Sequence, residues 1–386
     1  MLMLIVCLPR VTIDAYLPAL PTMADALHAS DAQLQLTLTL YMVGYAVSML
    51  ICGPVCDRIG RRPVLIWGTV LYLLATAVCA TASNADVMVT ARMLQALGGC
   101  CGTVIGRVIV RDQFDRATQA GLLSKISMGM ALSPIVAPLI GSLIDAVLGW
   151  RWVFIGLGLF GTVSLAAIAF CLPETRAPVP ALRHRQSTWR VYCRLLGDRY
   201  FLRYALTISF VYCTYFPFIA ESSVLLQRTM QLSETGYALV FGLTVAGYVI
   251  GSHLFRRLSV RHAADRLISW AVALNMAGAT LLLWSTSVYP QALAAIVVPF
   301  LLIMLSVGMA IPACQFRVLQ PYADIAGTAS GLFFFIQMAM TAACSFVTNG
   351  LSDGTARPMV FVTMACSAAF GAVWVRMHVA PGVAAH

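Results

Sequence analysis

The chain has 386 residues, 60% of them hydrophobic and only 10% charged, with a formal net charge of +10. A soluble domain carries about 25% charged residues, so a chain this apolar needs lipid as its solvent. The excess of arginine does not mark a nucleic-acid binder, because the arginines lie in short loops between apolar runs, which is the pattern of topology determinants.

Twelve apolar runs follow one another, at roughly 1–22, 33–56, 63–82, 86–110, 121–147, 151–172, 201–222, 236–256, 264–286, 290–314, 324–349 and 358–378. Each approaches or exceeds the roughly 20 residues a membrane-spanning helix needs. The first run lacks a basic leading region and a small-residue cleavage site, so it reads as span one rather than a signal peptide. Only 13 residues precede Asp14, which makes span one short at its cytoplasmic end, as expected if the true start lies upstream. Asp14 is the leading candidate proton carrier, since an intramembrane carboxylate is expensive when charged unless solvated or paired. The alternative is a structural Asp capping the outer half of the span near Pro18. Arg10 lies four residues earlier on the same helical face. It either pairs with Asp14 or snorkels to the inner interface.

The loop after span two reads Gly53-Pro54-Val55-Cys56-Asp57-Arg58-Ile59-Gly60-Arg61-Arg62. Gly53 is expected to let helices approach closely, Gly60 to permit a tight turn, and Arg61 and Arg62 to anchor the loop at the anionic inner leaflet. Span four carries Arg92, Gln95, Gly98 and Gly99. A buried arginine usually faces a polar cavity; the alternative is an outer-end residue snorkelling to the interface. Span five runs Gly129-Met130-Ala131-Leu132-Ser133-Pro134-Ile135-Val136-Ala137-Pro138-Leu139-Ile140-Gly141, with small residues and paired prolines that allow close packing and a bend.

The arginine- and proline-bearing stretch 174–199 divides the chain into six-span halves, 1–173 and 200–386. Glu221, late in span seven, is a second proton-coupling candidate or an interfacial carboxylate near the outer surface. Gly251-Ser252-His253-Leu254-Phe255-Arg256-Arg257 after span eight weakly echoes the 53–62 loop, as an ancient duplication would leave. Tyr16, Tyr41, Tyr45, Tyr212, Tyr215, Phe216, Phe241 and Phe334 are candidates to line a cavity for flat or cationic compounds. Placing the N-terminus inside puts most Arg and Lys in cytoplasmic loops and leaves Arg151, Arg228 and Arg357 outside. Both termini are then cytoplasmic. The twelve cysteines form neither a CxxC nor a metal set, so no disulfide framework, metal or cofactor is expected. There is no GxxxxGK[ST] loop and no convergent nucleophile–base set, which argues against ATP-driven transport by this chain and against an enzyme.

These motifs together resemble the major facilitator superfamily. The 53–62 loop matches its G-x-x-x-D-R-x-G-R-R signature, and Pro173-Glu174-Thr175 matches a common ending of span six. The segment around Arg92 resembles R-x-x-Q-G-x-G, with Ala96 where Gly is usual, and span five resembles the Gly/Pro signature of drug:proton antiporters, with Ser133-Pro134 replacing Gly-Pro. Asp14-Ala15-Tyr16-Leu17-Pro18-Ala19-Leu20-Pro21 resembles the D-x-Y-L-P-A-L-P signature of the Bcr/CflA (bicyclomycin/chloramphenicol resistance) exporters, and Arg111-Asp112 and Ala326 to Gly331 fit that group. The resemblance implies an all-α membrane fold of two pseudo-symmetric six-helix bundles. It also implies proton-coupled efflux of small amphipathic or cationic compounds by a monomer in a bacterial inner membrane. Gly53, Asp57, Arg58, Gly60, Arg61 and Arg62 would form a conformational latch, Arg92 would take part in proton coupling, and Gly129, Pro134, Pro138 and Gly141 would form the antiporter motif. A dedicated exporter or importer of one endogenous metabolite stays open beside this reading.

Overall fold

The computed structural model describes residues 1–113, 116–173 and 188–377. Those residues are helical nearly throughout, and among them no strand occurs. In lipid each backbone N–H and C=O must be satisfied within its own segment, which favours this outcome. Eleven described segments are long and apolar enough to cross a bilayer, and Leu132–Leu148 is a shorter apolar helix. They correspond to the twelve predicted spans.

The helices are α1 (Leu2–Tyr16), α2 (Leu20–Ala26), α3 (Asp31–Ile59), α4 (Arg61–Thr81), α5 (Ala85–Gly99), α6 (Cys101–Gln113), α7 (Arg116–Leu148), α8 (Trp150–Cys171), α9 (Thr188–Gly197), α10 (Arg199–Ser223), α11 (Glu234–Leu258), α12 (Ala264–Val288), α13 (Leu293–Leu319), α14 (Ala326–Leu351) and α15 (Arg357–Arg376). Side-chain caps start several of them. Ser30 and Gln33 form a capping box at α3, Asn84 accepts from Val87 N at α5, and Asp198 accepts from Tyr200 N at α10.

Three predicted spans are not continuous α-helices. Span one passes through a 3-10 turn at Leu17–Ala19 between α1 and α2, where Pro18 and Pro21 remove backbone donors. Span four breaks at Cys100, directly after Gly98 and Gly99. Span seven ends in a π turn at Val224–Thr229. The stretch read as a linker also carries α9, whose Val191, Tyr192 and Leu195 are buried while Trp189 is exposed.

Two compact units emerge, Met1–Val191 with Ser330–Phe335, and Tyr192–Ala329 with Ile336–His386. In the first, α3 meets α5 where a Cβ on Gly44 would overlap the Met93 carbonyl, and α4 meets α5 through Gly68 and Gly98. In the second, Gly247 and Gly251 of α11 and Gly308 of α13 let those two backbones touch. Gly53 does not do what its place in the loop signature promised, because a Cβ there would meet nothing within 4 Å. The close approach on α3 lies at Gly44 instead.

Candidate functional site

Asp14 sits in the middle of the first spanning segment, Leu2–Ala26, and is wholly buried. One helical turn earlier, Arg10 sends its Nε to Asp14 Oδ2 at 3.1 Å. Of the two readings of Arg10, the structure has the ion pair. A second donor reaches the same oxygen from another helix, Ser133 Oγ of α7 at 3.0 Å. The other carboxylate oxygen, Oδ1, is buried and has no hydrogen-bond partner among the described residues. Such a group persists in a membrane interior only because its charge is paired nearby. The α7 backbone comes this close because of the Gly/Pro segment. Gly129 faces the side-chain ends of Met3 and Cys7, and a Cβ on Gly141 would overlap the Ala15 carbonyl. Pro134 and Pro138 lie between those two glycines, inside the helix.

Arg92 lies on α5, fully buried, so it does not snorkel. Its Nη1 donates to Gln95 Oε1 at 2.5 Å, and Gln95 Nε2 in turn donates to Thr76 Oγ1 at 2.8 Å. The guanidinium lies 3.9 Å from the ring centroid of Tyr16, 4.5 Å from Tyr41 and 5.9 Å from Phe154. Aromatic faces thus do much of the work a carboxylate would otherwise do, as the ring quadrupole attracts a desolvated cation. Nε and Nη2 have no hydrogen-bond partner among the described residues. The rings are themselves fixed. Tyr41 donates to the Pro9 carbonyl at 3.1 Å, and the Tyr16 and Thr37 hydroxyls lie 3.2 Å apart. Helix α1 and its flank therefore serve both charged sites, Asp14 facing α7 and Tyr16 facing Arg92.

The 53–62 loop turns at Gly60, whose φ of 109° belongs to glycine. Arg61 is nearly buried, and Arg62 Nη2 donates to the Ala169 carbonyl at 2.7 Å. The side chains of Asp57 and Arg58 lie outside the described residues. In the second unit Glu221 is buried near the end of α10 and accepts from Ser352 Oγ at 3.1 Å, just before the π turn. Of the candidate cavity rings, Tyr16, Tyr41, Tyr215, Phe216 and Phe241 are buried, and Tyr45, Tyr212 and Phe334 are half-buried. Tyr212 packs against Tyr215 at 4.9 Å, Phe241 stacks on Phe218 at 6.0 Å, and Phe334 lies edge-on to Phe333. Tyr45 pairs with Thr103 at 3.3 Å.

A family model described as Major Facilitator Superfamily matches residues 2–345. The chain belongs to that superfamily. Among curated members, Multidrug resistance protein D of Escherichia coli is 31% identical over 86% of this chain and 83% of its own length. Multidrug resistance protein MdtL of Escherichia coli is 31% identical over 97% and 94%. A chloramphenicol resistance protein of Pseudomonas aeruginosa is 30% identical over 90% and 82%. Two solved structures superpose on it. A POT family peptide transporter covers 99% of this chain and 97% of its own, at TM-score 0.77 and 14% identity. A D-xylose-proton symporter covers 97% and 96%, at TM-score 0.74 and 12% identity. At such identities these two speak for the fold alone.

For a superfamily member, two interior features escaped the sequence reading. In the sequence Ser133 stands only as part of a bend, although a hydroxyl beside an intramembrane proline is also a donor free to seek a partner. In the second unit Asn275 Nδ2 donates to Ser306 Oγ at 2.7 Å and to Thr214 Oγ1 at 3.3 Å, joining α12, α13 and α10. An Asn inside an apolar run was the signal for that network. Nearer the helix ends, Asp265 Oδ1 accepts from Tyr204 at 2.7 Å and pairs with Arg317 Nε at 3.3 Å. Among the described residues no group of three or more His, Cys, Asp or Glu could hold a metal ion.

Proposed function

We propose that this chain exports small amphipathic or cationic compounds, antibiotics among them, in exchange for protons. It would do so by alternating access in a bacterial inner membrane, as a monomer with both termini in the cytoplasm. The observation that carries this reading is the wholly buried carboxylate of Asp14 in a membrane-spanning helix, next to an arginine and a hydroxyl. The resistance activities named for the relatives from Escherichia coli and Pseudomonas aeruginosa support the substrate class.

In this reading Asp14 takes and releases the proton, Arg92 sets the electrostatic field around it, and Glu221 is a second carboxylate available to titrate. The halves 1–173 and 200–386, joined by 174–199, are the rocking bodies, and the 53–62 loop is the latch on the outward-facing state. Tyr16, Tyr41, Tyr45, Tyr212, Tyr215, Phe241 and Phe334 supply apolar faces to the substrate. Coupling requires that proton and substrate each favour a different conformer. A proton moving inward yields about 2.3 kcal/mol per 100 mV, which drives the cycle toward efflux.

The test is substrate-driven proton movement in proteoliposomes, with chloramphenicol and a lipophilic cation as probes. Wild type is expected to move protons when either is added, and Asp14→Asn to lose that movement while still binding the compound. Normal coupling in Asp14→Asn would make Asp14 a structural residue. Wild-type liposomes silent to every compound would overturn the drug-exporter reading.

A further inference from the structure

Asp14 uses one oxygen twice and the other not at all. Oδ2 receives both Arg10 Nε and Ser133 Oγ, while Oδ1 is sealed from solvent with no partner. Helix α7 therefore touches α1 in two different ways. At Gly141 the contact is steric, backbone against the Ala15 carbonyl, and indifferent to charge. At Ser133, eight residues earlier, it is a hydrogen bond to a charged group, roughly twice as strong as one to a neutral acceptor. Pro134 and Pro138 lie between the two contacts, and each removes a helical hydrogen bond, so bending there is cheap. Before Ser133, Gly129 faces the Cys7 sulfur and the flexible Met3 side chain, and Ile126 packs with Val6 of α1, so the contact there is apolar and carries no charge.

We infer that Ser133 is a positioning residue that ties the bend of α7 to the protonation of Asp14, and that Oδ1 is the atom that takes the proton. This rests on the reading of Asp14 as proton carrier. When a proton binds Oδ1, Oδ2 becomes an uncharged carbonyl oxygen. Its bonds to Arg10 and Ser133 weaken together, and the part of α7 before Ser133 pivots about Gly141. Loss of the proton restores the charge and draws α7 back. The bend thus reports occupancy of the carboxylate to a helix that carries no titrating group at that level.

The charged and titratable groups on the surrounding elements are few. Arg10 is on α1 itself, Arg92 on α5 is held between Tyr16 and Tyr41, and Tyr72 on α4 is 2.9 Å from the Thr12 hydroxyl. Asp145 on α7 accepts from Thr22 at 2.8 Å, and Arg151 on α8 stacks on Trp150. Cys7 on α1 is buried against Gly129, and the side chains of Arg107, Arg111 and Asp112 on α6 and of Arg116 and Lys125 on α7 lie outside the described residues.

The experiment compares Ser133→Ala and Ser133→Thr with wild type in liposomes, with two readouts. The first is the infrared carboxyl band of Asp14, assigned by its absence in Asp14→Asn and titrated with pH, which needs no substrate. The second is hydrogen exchange of α7 at one pH. Ser133→Ala removes a donor to the charged form, so the carboxyl band is expected to persist to a pH about one unit higher. Ser133→Thr keeps the hydroxyl and should titrate as wild type. Exchange in α7 should rise in Ser133→Ala and in Asp14→Asn, and no further in the double variant. Titration curves that overlay for wild type and Ser133→Ala, or additive exchange, would overturn the inference while leaving Asp14 as carrier. A wild-type Asp14 band that does not titrate would instead remove the proton carrier, and the inference with it.

Discussion

The two units treat polarity in their interiors in opposite ways. The first buries formal charge at mid-span, with Asp14 on α1 paired to the partly exposed Arg10, and Arg92 on α5. The second keeps its described mid-span positions neutral, where Asn275, Thr214 and Ser306 hydrogen-bond to one another. Its charges gather toward helix ends, with Asp265 and Arg317 at one level and Glu221 by the π turn. Burying charge in a bilayer costs several kcal/mol per ion even after relaxation. A neutral network costs far less and stabilises modestly. The first unit thus carries charge at mid-span, where it is costliest, whereas the second places its buried charges, Arg203 and Glu221, toward helix ends and fills its mid-span with the ordinary glue of a helical bundle.

That contrast can be broken most sharply at Arg92. Replacing it by Gln removes the cation from the Tyr16, Tyr41 and Phe154 faces while leaving a polar side chain for Gln95. A desolvated cation–π site is worth about 2 kcal/mol or more, so transport should fall roughly tenfold or further. Arg92→Lys should recover part of it, since the charge returns but the planar stack does not. Wild-type transport by Arg92→Gln would mean that the charges of the first unit are structural after all.

A smaller effect is expected in the second unit. Asn275→Leu should lower stability by about 1 kcal/mol, read from thermal unfolding in detergent, and leave substrate-driven proton movement intact. Loss of coupling in a folded Asn275→Leu protein would erase the distinction between the units.

The smallest effect lies in the loop between α14 and α15. Asp353 accepts from both the N and the Oγ1 of Thr355, which holds its carboxyl below the usual range. A depressed carboxylate stabilises the fold above its unfolded pKa, and that contribution is lost as pH falls through the folded value. Amide protection at Thr355 and Arg357, measured against the intrinsic exchange rate at each pH, should accordingly fall as the pH drops below about 4. An unchanged pattern would show that the turn stands without the charge.

Much of this was legible beforehand. Asp14 and Arg92 announced themselves because charge inside an apolar run has few innocent explanations. The spans followed from composition, and the bend of α7 from its two prolines. What stayed hidden depended on rotation and rotamer. Spacing placed Arg10 on the face of Asp14 but left its direction open. Gly53 and Gly44 share one helix, and residue type alone does not say which side of α3 carries the tight contact. Helix α9 was obscured because its buried residues, Val191, Tyr192 and Leu195, are spaced among arginines. Asn275 belonged to no motif, so its partners on two other helices were beyond reach of a linear reading.

The burial of the thiols has a practical side. Of the twelve cysteines, only Cys171 and Cys193 are exposed, one at the end of α8 and one on α9. Cys193, which lies outside the spanning segments, should therefore take a water-soluble maleimide first, while Cys171 ends the span Trp150–Cys171 and should need a membrane-permeant reagent. The native chain thus comes with its own attachment point for a fluorophore on α9, beside the stretch that joins the halves.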